Sequence, residues 1–185
     1  MRFFLAASLA ASLVVTPVLA DEFTDTLALV LEAYEAGDIN DAKDELAYAT
    51  QLLQEMQGAD FMQFLPEPLD GWTRELGDGS DNAAMVMFGG GVMAMATYSN
   101  GSDSFEISII ADNSLVASMG MMLGNAATMA MMGKIVRVGR EKFVSSDGEI
   151  QGLIGGVLLQ ASGSASEDDI IAHLEKIDFD ALEDY

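Results

Sequence analysis

The residues of this chain best placed to do chemistry are four methionines, Met85, Met87, Met93 and Met95. They flank Gly89-Gly90-Gly91, and two apolar runs around three glycines read as a β-hairpin with a short loop. With pairing symmetric about Gly90, Met87 faces Met93 and Met85 faces Met95. Side chains alternate along a strand, so all four thioethers then project from one face. Thioether sulfur is soft and suits Cu(I), and the chain has no cysteine to compete for it. A Cu(I) site on these four residues is one reading. The favoured reading is packing. Six more methionines (119, 121, 122, 129, 131 and 132) lie in a stretch without charge that reads as a helix, and Met fills irregular gaps between a sheet and its covering helix. Copper sites of this kind usually add histidine. The chain has one, His173, set among Ile170, Leu174 and Ile177, where it reads as structural.

Other chemistries lack their residues. A Ser-His-Asp triad would have to use His173, and no Gly-x-Ser-x-Gly turn occurs. Ser164 sits in Ser-Gly-Ser-Ala-Ser, a turn ahead of a helix. No phosphate-binding glycine loop is present, and zinc would need His or Cys ligands in greater number. Asp78-Gly79-Ser80-Asp81-Asn82 offers oxygens but does not match a calcium loop. Thirty acidic residues always contain pairs suited to acid–base hydrolysis, yet nothing singles one pair out. The chain is therefore expected not to be an enzyme, with a carboxylate-based hydrolase the weakest alternative.

The first twenty residues read as an export address. Arg2 precedes an apolar run over 3–15, and Val18-Leu19-Ala20 forms a small-residue cleavage site before Asp21. That run is too short to span a bilayer. The expected product is a soluble periplasmic or secreted protein, acidic and methionine-rich, that begins at Asp21. Removing Arg2 leaves seven cations against 30 anions. Such a field repels nucleic acid and anionic lipid, so neither is expected as a partner. Lys134, Arg137, Arg140 and Lys142 make a local basic patch, for which pairing with nearby carboxylates is the expected use.

Residues 21–58 predict a helical hairpin. Phe23, Leu27, Val30, Leu31 and Tyr34 form one stripe, Gly37 stops the first helix, and Asp38 caps the second. Ile39, Ala42, Leu46, Ala49, Leu53 and Met56 recur at steps of three and four, a seam for another helix. Residues 59–71 predict a proline linker and 72–185 an α+β domain. In that domain strands are expected over 85–88, 92–98, 105–109, 135–138, 142–144, 150–154 and 157–161. One helix is expected over 115–132 and another from Ser166. Helices and strands are not strictly interleaved, which favours a mainly antiparallel sheet packed with two helices.

Two resemblances attach to these segments. Ala33-Tyr34-Glu35-Ala36-Gly37-Asp38-Ile39-Asn40-Asp41-Ala42 resembles the middle of a tetratricopeptide-type repeat, but no second copy follows, so a peptide-binding array is not expected. The entry Leu65-Pro66-Glu67-Pro68-Leu69-Asp70-Gly71-Trp72 and the run 155–163 before a Ser-Glu-Asp-Asp helix are similar to uncharacterised exported proteobacterial proteins. The order of elements after Trp72 resembles a Mog1/PsbP-like sandwich. That likeness implies a fold and a compartment and carries over no catalytic residue or cofactor. The function expected is binding or accessory work through another protein or a small apolar ligand, with periplasmic Cu(I) binding as the alternative.

Overall fold

The computed structural model describes residues 18–77 and 90–184. The chain divides into two compact units, Met1–Leu52 and Leu53–Tyr185. The first holds helix α1 (Val18–Ala36) and most of helix α2 (Ile39–Met62). Gly37 ends α1 at φ +82°, a left-handed conformation open to glycine. Its N–H bonds to Tyr34 O at 3.1 Å and that of Asp38 to Ala33 O at 2.9 Å, so the last carbonyls of α1 are satisfied as the chain reverses. Across the pair, Tyr48 Oη donates to Glu22 Oε1 at 2.5 Å.

Two expectations for this region are corrected. The stripe of α1 is split, because Thr26 is buried with Phe23 and Val30 half-buried, while Leu27, Leu31 and Tyr34 are exposed. The second helix does not stop at 58 but runs to Met62. Gly58 inside a helix costs about 1 kcal/mol, and burying Phe61 one turn later offsets it. The connector that follows Met62 packs into the second unit. Leu65 is buried, and Arg74 donates to Leu65 O at 2.8 Å, to Pro66 O at 3.0 Å and to Glu67 Oε1 at 2.7 Å.

The second unit is built on a seven-stranded antiparallel sheet, so the fold class is α+β. Its elements are β1 (Thr73–Leu76), β2 (Val92–Ser99), β3 (Ser104–Ala111), helices α3 (Ser114–Leu123) and α4 (Ala126–Met132), then β4 (Lys134–Val138), β5 (Glu141–Ser146), β6 (Glu149–Ile154) and β7 (Val157–Gly163), and finally α5 (Glu167–Leu174) and α6 (Phe179–Glu183). Spatial order is β1-β2-β3-β7-β6-β5-β4. After β3 the chain crosses through α3–α4 to the far edge and returns by a meander that ends beside β3. The Gly155-Gly156 turn closes β6 onto β7 with both residues at positive φ, as a two-residue hairpin loop requires.

One sheet face carries the main core. Ala94, Ala96, Tyr98, Phe105, Ile107, Ile109, Phe143, Ile150 and Leu159 are buried there with Ile170 and Leu174 of α5, Leu182 of α6, and Phe61 and Leu65. The opposite face carries a smaller core in which Ile110, Val144 and Leu158 lie with Val116, Leu123 and Met129 of α3–α4. The single helix expected over 115–132 is two helices. Gly124 interrupts it, and Asn125 caps the second half by accepting the Ala127 N–H at 2.8 Å. Strand β1 was not anticipated, and the expected strand at 85–88 lies outside the described residues.

Tyr98 makes a testable link between this core and pH. It is fully buried, with Oη donating to Pro66 O at 2.6 Å, and burial pushes its pKa up to about 12. The unfolded chain then loses this proton first, near pH 10. Stability is intact below about pH 10 and falls as pH rises from there toward 12, by roughly 1–2 kcal/mol. In urea titrations Tyr98→Phe should lower stability at neutral pH and flatten the decline between pH 10 and 12. An unchanged alkaline slope would refute the assignment.

Candidate functional site

The methionine positions separate into three groups. Met85 and Met87 lie outside the described residues. Met93 and Met95 do share one face of β2, as alternation demands, and it is the face opposite the main core. Met93, Met119 and Met132 are each partly buried against the smaller core, which holds Met129. Met95 is half-buried opposite Ser108 of β3. On its other edge the Met95 carbonyl receives the Gly77 N–H at 2.8 Å. Among the described residues, no group of three or more His, Asp or Glu is arranged to hold a metal ion.

The third group points to water. Met131 is 88% exposed and Met121 is 79% exposed, with Met122 also exposed. These side chains fall on the outer side of helices whose inner side holds Met129. Sulfoxidation follows access, because it needs an oxidant to reach sulfur. Limited treatment with hydrogen peroxide should therefore oxidise Met121 and Met131 first and Met129 last, by at least about tenfold in rate. Peptide mass spectrometry checks this, and early loss of Met129 from the folded chain would contradict the burial.

His173 is the best-organised polar residue of the core. It is fully buried. Its Nδ1 lies 2.8 Å from Asp169 O one turn back, and its Nε2 accepts the Leu69 N–H at 3.3 Å. A carbonyl beside Nδ1 and an N–H aimed at Nε2 fix the neutral tautomer with its proton on Nδ1. Trp72, Tyr98 and Phe105 surround the ring at centroid distances of 5.2, 5.1 and 5.0 Å, all tilted edge-on. Nε2 thus ties the connector to α5, while Nδ1 is held within α5 itself. Ser164 closes the end of the sheet, with its N–H on Ser104 O at 2.7 Å and its Oγ accepting from Ser104 N–H at 3.0 Å.

The carboxylates near a hollow beside α6 have similar duties. Asp180 pairs with Arg140 at 2.5 Å, Glu175 receives the Gly139 N–H at 3.4 Å, and Asp178 caps α6 through the Ala181 N–H at 3.1 Å. Glu167 sits on Lys134 at 2.6 Å and on Ser145 Oγ, and these hydrogen bonds hold its pKa below the usual carboxylate range. A general acid requires the opposite direction. The basic patch is half neutralised in this way. Arg137 and Lys142 are instead cross-strand neighbours on β4–β5, exposed and with no ion pair among the described residues. One further feature carries no sequence signal: Gln151 Oε1 is buried with no hydrogen-bond partner among the described residues.

An apolar surface without a role assigned so far lies on the first unit. Tyr34 is 65% exposed and Leu31 62%, with Leu27 beside them on α1. On α2, Leu46 is 50% exposed and Ile39 48%. Of the predicted seam, the small residues Ala42 and Ala49 are buried, Met56 is half-buried, and Ile39, Leu46 and Leu53 are exposed. The spacing signalled a seam but could not say that its bulky half stays open. No helix among the described residues is long and apolar enough to cross a membrane. Compared with protein-family models, with curated proteins and with solved structures, the chain matches none of them.

Proposed function

We propose that this chain is an exported, soluble, non-enzymatic binding or accessory protein of the periplasm, working through apolar protein contacts made by its helical hairpin. The observation that carries this reading is the row of large exposed side chains on α1 and α2, Leu27, Leu31, Tyr34, Ile39 and Leu46. Soluble chains rarely leave contiguous apolar surface open unless a partner covers it. The acidic composition supports solubility, and the leader-like first twenty residues support export. The meander, the crossing α3–α4 and the closing α5 support a Mog1/PsbP-like domain that carries the hairpin. Export also allows disulfides, and the domain uses none.

Photo-cross-linking tests the reading directly. A benzophenone side chain at Leu31 or Leu46, in cells that export the full chain, should give discrete adducts with another protein. The same probe at Asp41, on the polar side of α2, should not. Equal labelling at all three positions, or none at any, would remove the hairpin as the working surface.

A further inference from the structure

Most of the exposed apolar residues of the hairpin open on one side of the pair, with Leu29, 49% exposed, turned to the other, and their surroundings specify a partner. On α1, Leu27, Leu31 and Tyr34 each follow by one residue the packed positions Thr26, Val30 and Ala33. On α2, Ile39 and Leu46 are turned in the same rotational sense from Ala42 and Ala49. The offset is about 100° on α1 and about 60° on α2. In antiparallel helices the same rotation off the packed face leads to the same side. Tyr48 and Glu22 are turned the other way on their helices, and they meet in a hydrogen bond. The two apolar stripes therefore share the side away from that bond. They form one surface two helices wide.

Charge decides what covers it. Residues 21–52 hold nine acidic side chains and one cation, Lys43. A second copy would bring the same negative field against itself, and anionic lipid would be repelled likewise. An apolar face bordered by positive charge meets both demands, burying the leucines while its cations approach an acidic body. Resting on the binding reading above, we infer that the apolar side of the hairpin is a docking surface for a cationic amphipathic helix of a partner protein.

The test uses the full exported chain and two synthetic helices of roughly 18 residues, one built from Leu and Lys and the other from Leu and Glu. Fluorescence anisotropy should show the Leu/Lys helix binding at least about tenfold more tightly than the Leu/Glu helix. Leu31→Glu with Leu46→Glu then separates docking from charge attraction alone. These substitutions add negative charge, so attraction alone would tighten binding, whereas docking predicts a loss of at least about tenfold. Both positions are exposed, and an unchanged thermal melt confirms that the variant folds. Tighter or unchanged binding in the variant overturns the inference, as does self-association through the stripes in sedimentation. Adducts at Leu31 and Leu46 with a partner that offers no cationic helix would refute this inference while leaving the binding reading in place. Absence of adducts would refute the binding reading itself.

Discussion

Replacing His173 with alanine is expected to destabilise the second unit by about 3–5 kcal/mol. Three losses add in that variant. The ring leaves a void between Trp72, Tyr98 and Phe105, each now about 5 Å from its centroid. The Leu69 N–H loses its acceptor, and Asp169 O loses the side-chain donor that supplements its helical role. At this chain length such a loss corresponds to a fall in Tm on the order of 10 °C. His173→Phe sorts the contributions. It keeps an aromatic ring in the cage and abandons only the polar partners, so it should cost about 1–3 kcal/mol. Urea unfolding followed by fluorescence is a direct readout, because the chain has one tryptophan and it touches this ring. Equal destabilisation by Phe and Ala would mean that packing contributes nothing. A cost below about 1 kcal/mol for Ala would mean that the cage is not a keystone of the core.

Much of the second unit was legible because its strands alternate. Phe105, Ile107 and Ile109 mark the inner face of β3, and the Gly155-Gly156 step marks the turn between β6 and β7. Strand β1 was not legible, since Thr-Arg-Glu-Leu is short, charged and on an edge, where neither face is buried. The break in the methionine helix was visible as Gly124-Asn125 but lost to the apolar run on either side. Asn125 wins there because its side chain offers the second half a cap that the backbone lacks. The apolar side of the hairpin was half legible. Heptad spacing identifies which residues line a seam, but whether the seam closes depends on side-chain volume. Here Ala42 and Ala49 take packed positions and leave Ile39, Leu46 and Leu53 outside. His173 was expected to be structural, yet its partners Leu69 and Trp72 lie about a hundred residues away, beyond any local pattern.

Gly152 and Phe143 supply the other large effect, and there the sign of a mutation should depend on its neighbour. Gly152 lies in the interior of β6 on the main core face, where glycine is a poor strand residue. The Phe143 ring explains its presence. A Cβ added at Gly152 would stand 2.5, 2.6 and 2.8 Å from Cδ1, Cε1 and Cγ of that ring. The ring has little room to retreat, being fully buried with Phe179 at 6.0 Å on another side. Gly152→Ala should therefore cost about 1–3 kcal/mol through overpacking. Phe143→Leu should cost a similar amount through lost contacts and a partial void. In the Phe143→Leu background the obstacle is gone, and alanine's lower conformational entropy in a strand should make Gly152→Ala neutral or stabilising by about 0.5–1 kcal/mol. A double-mutant cycle by urea denaturation measures the coupling, expected at about 1–3 kcal/mol. Additive costs would show that the strand, rather than the ring, demands glycine at this position.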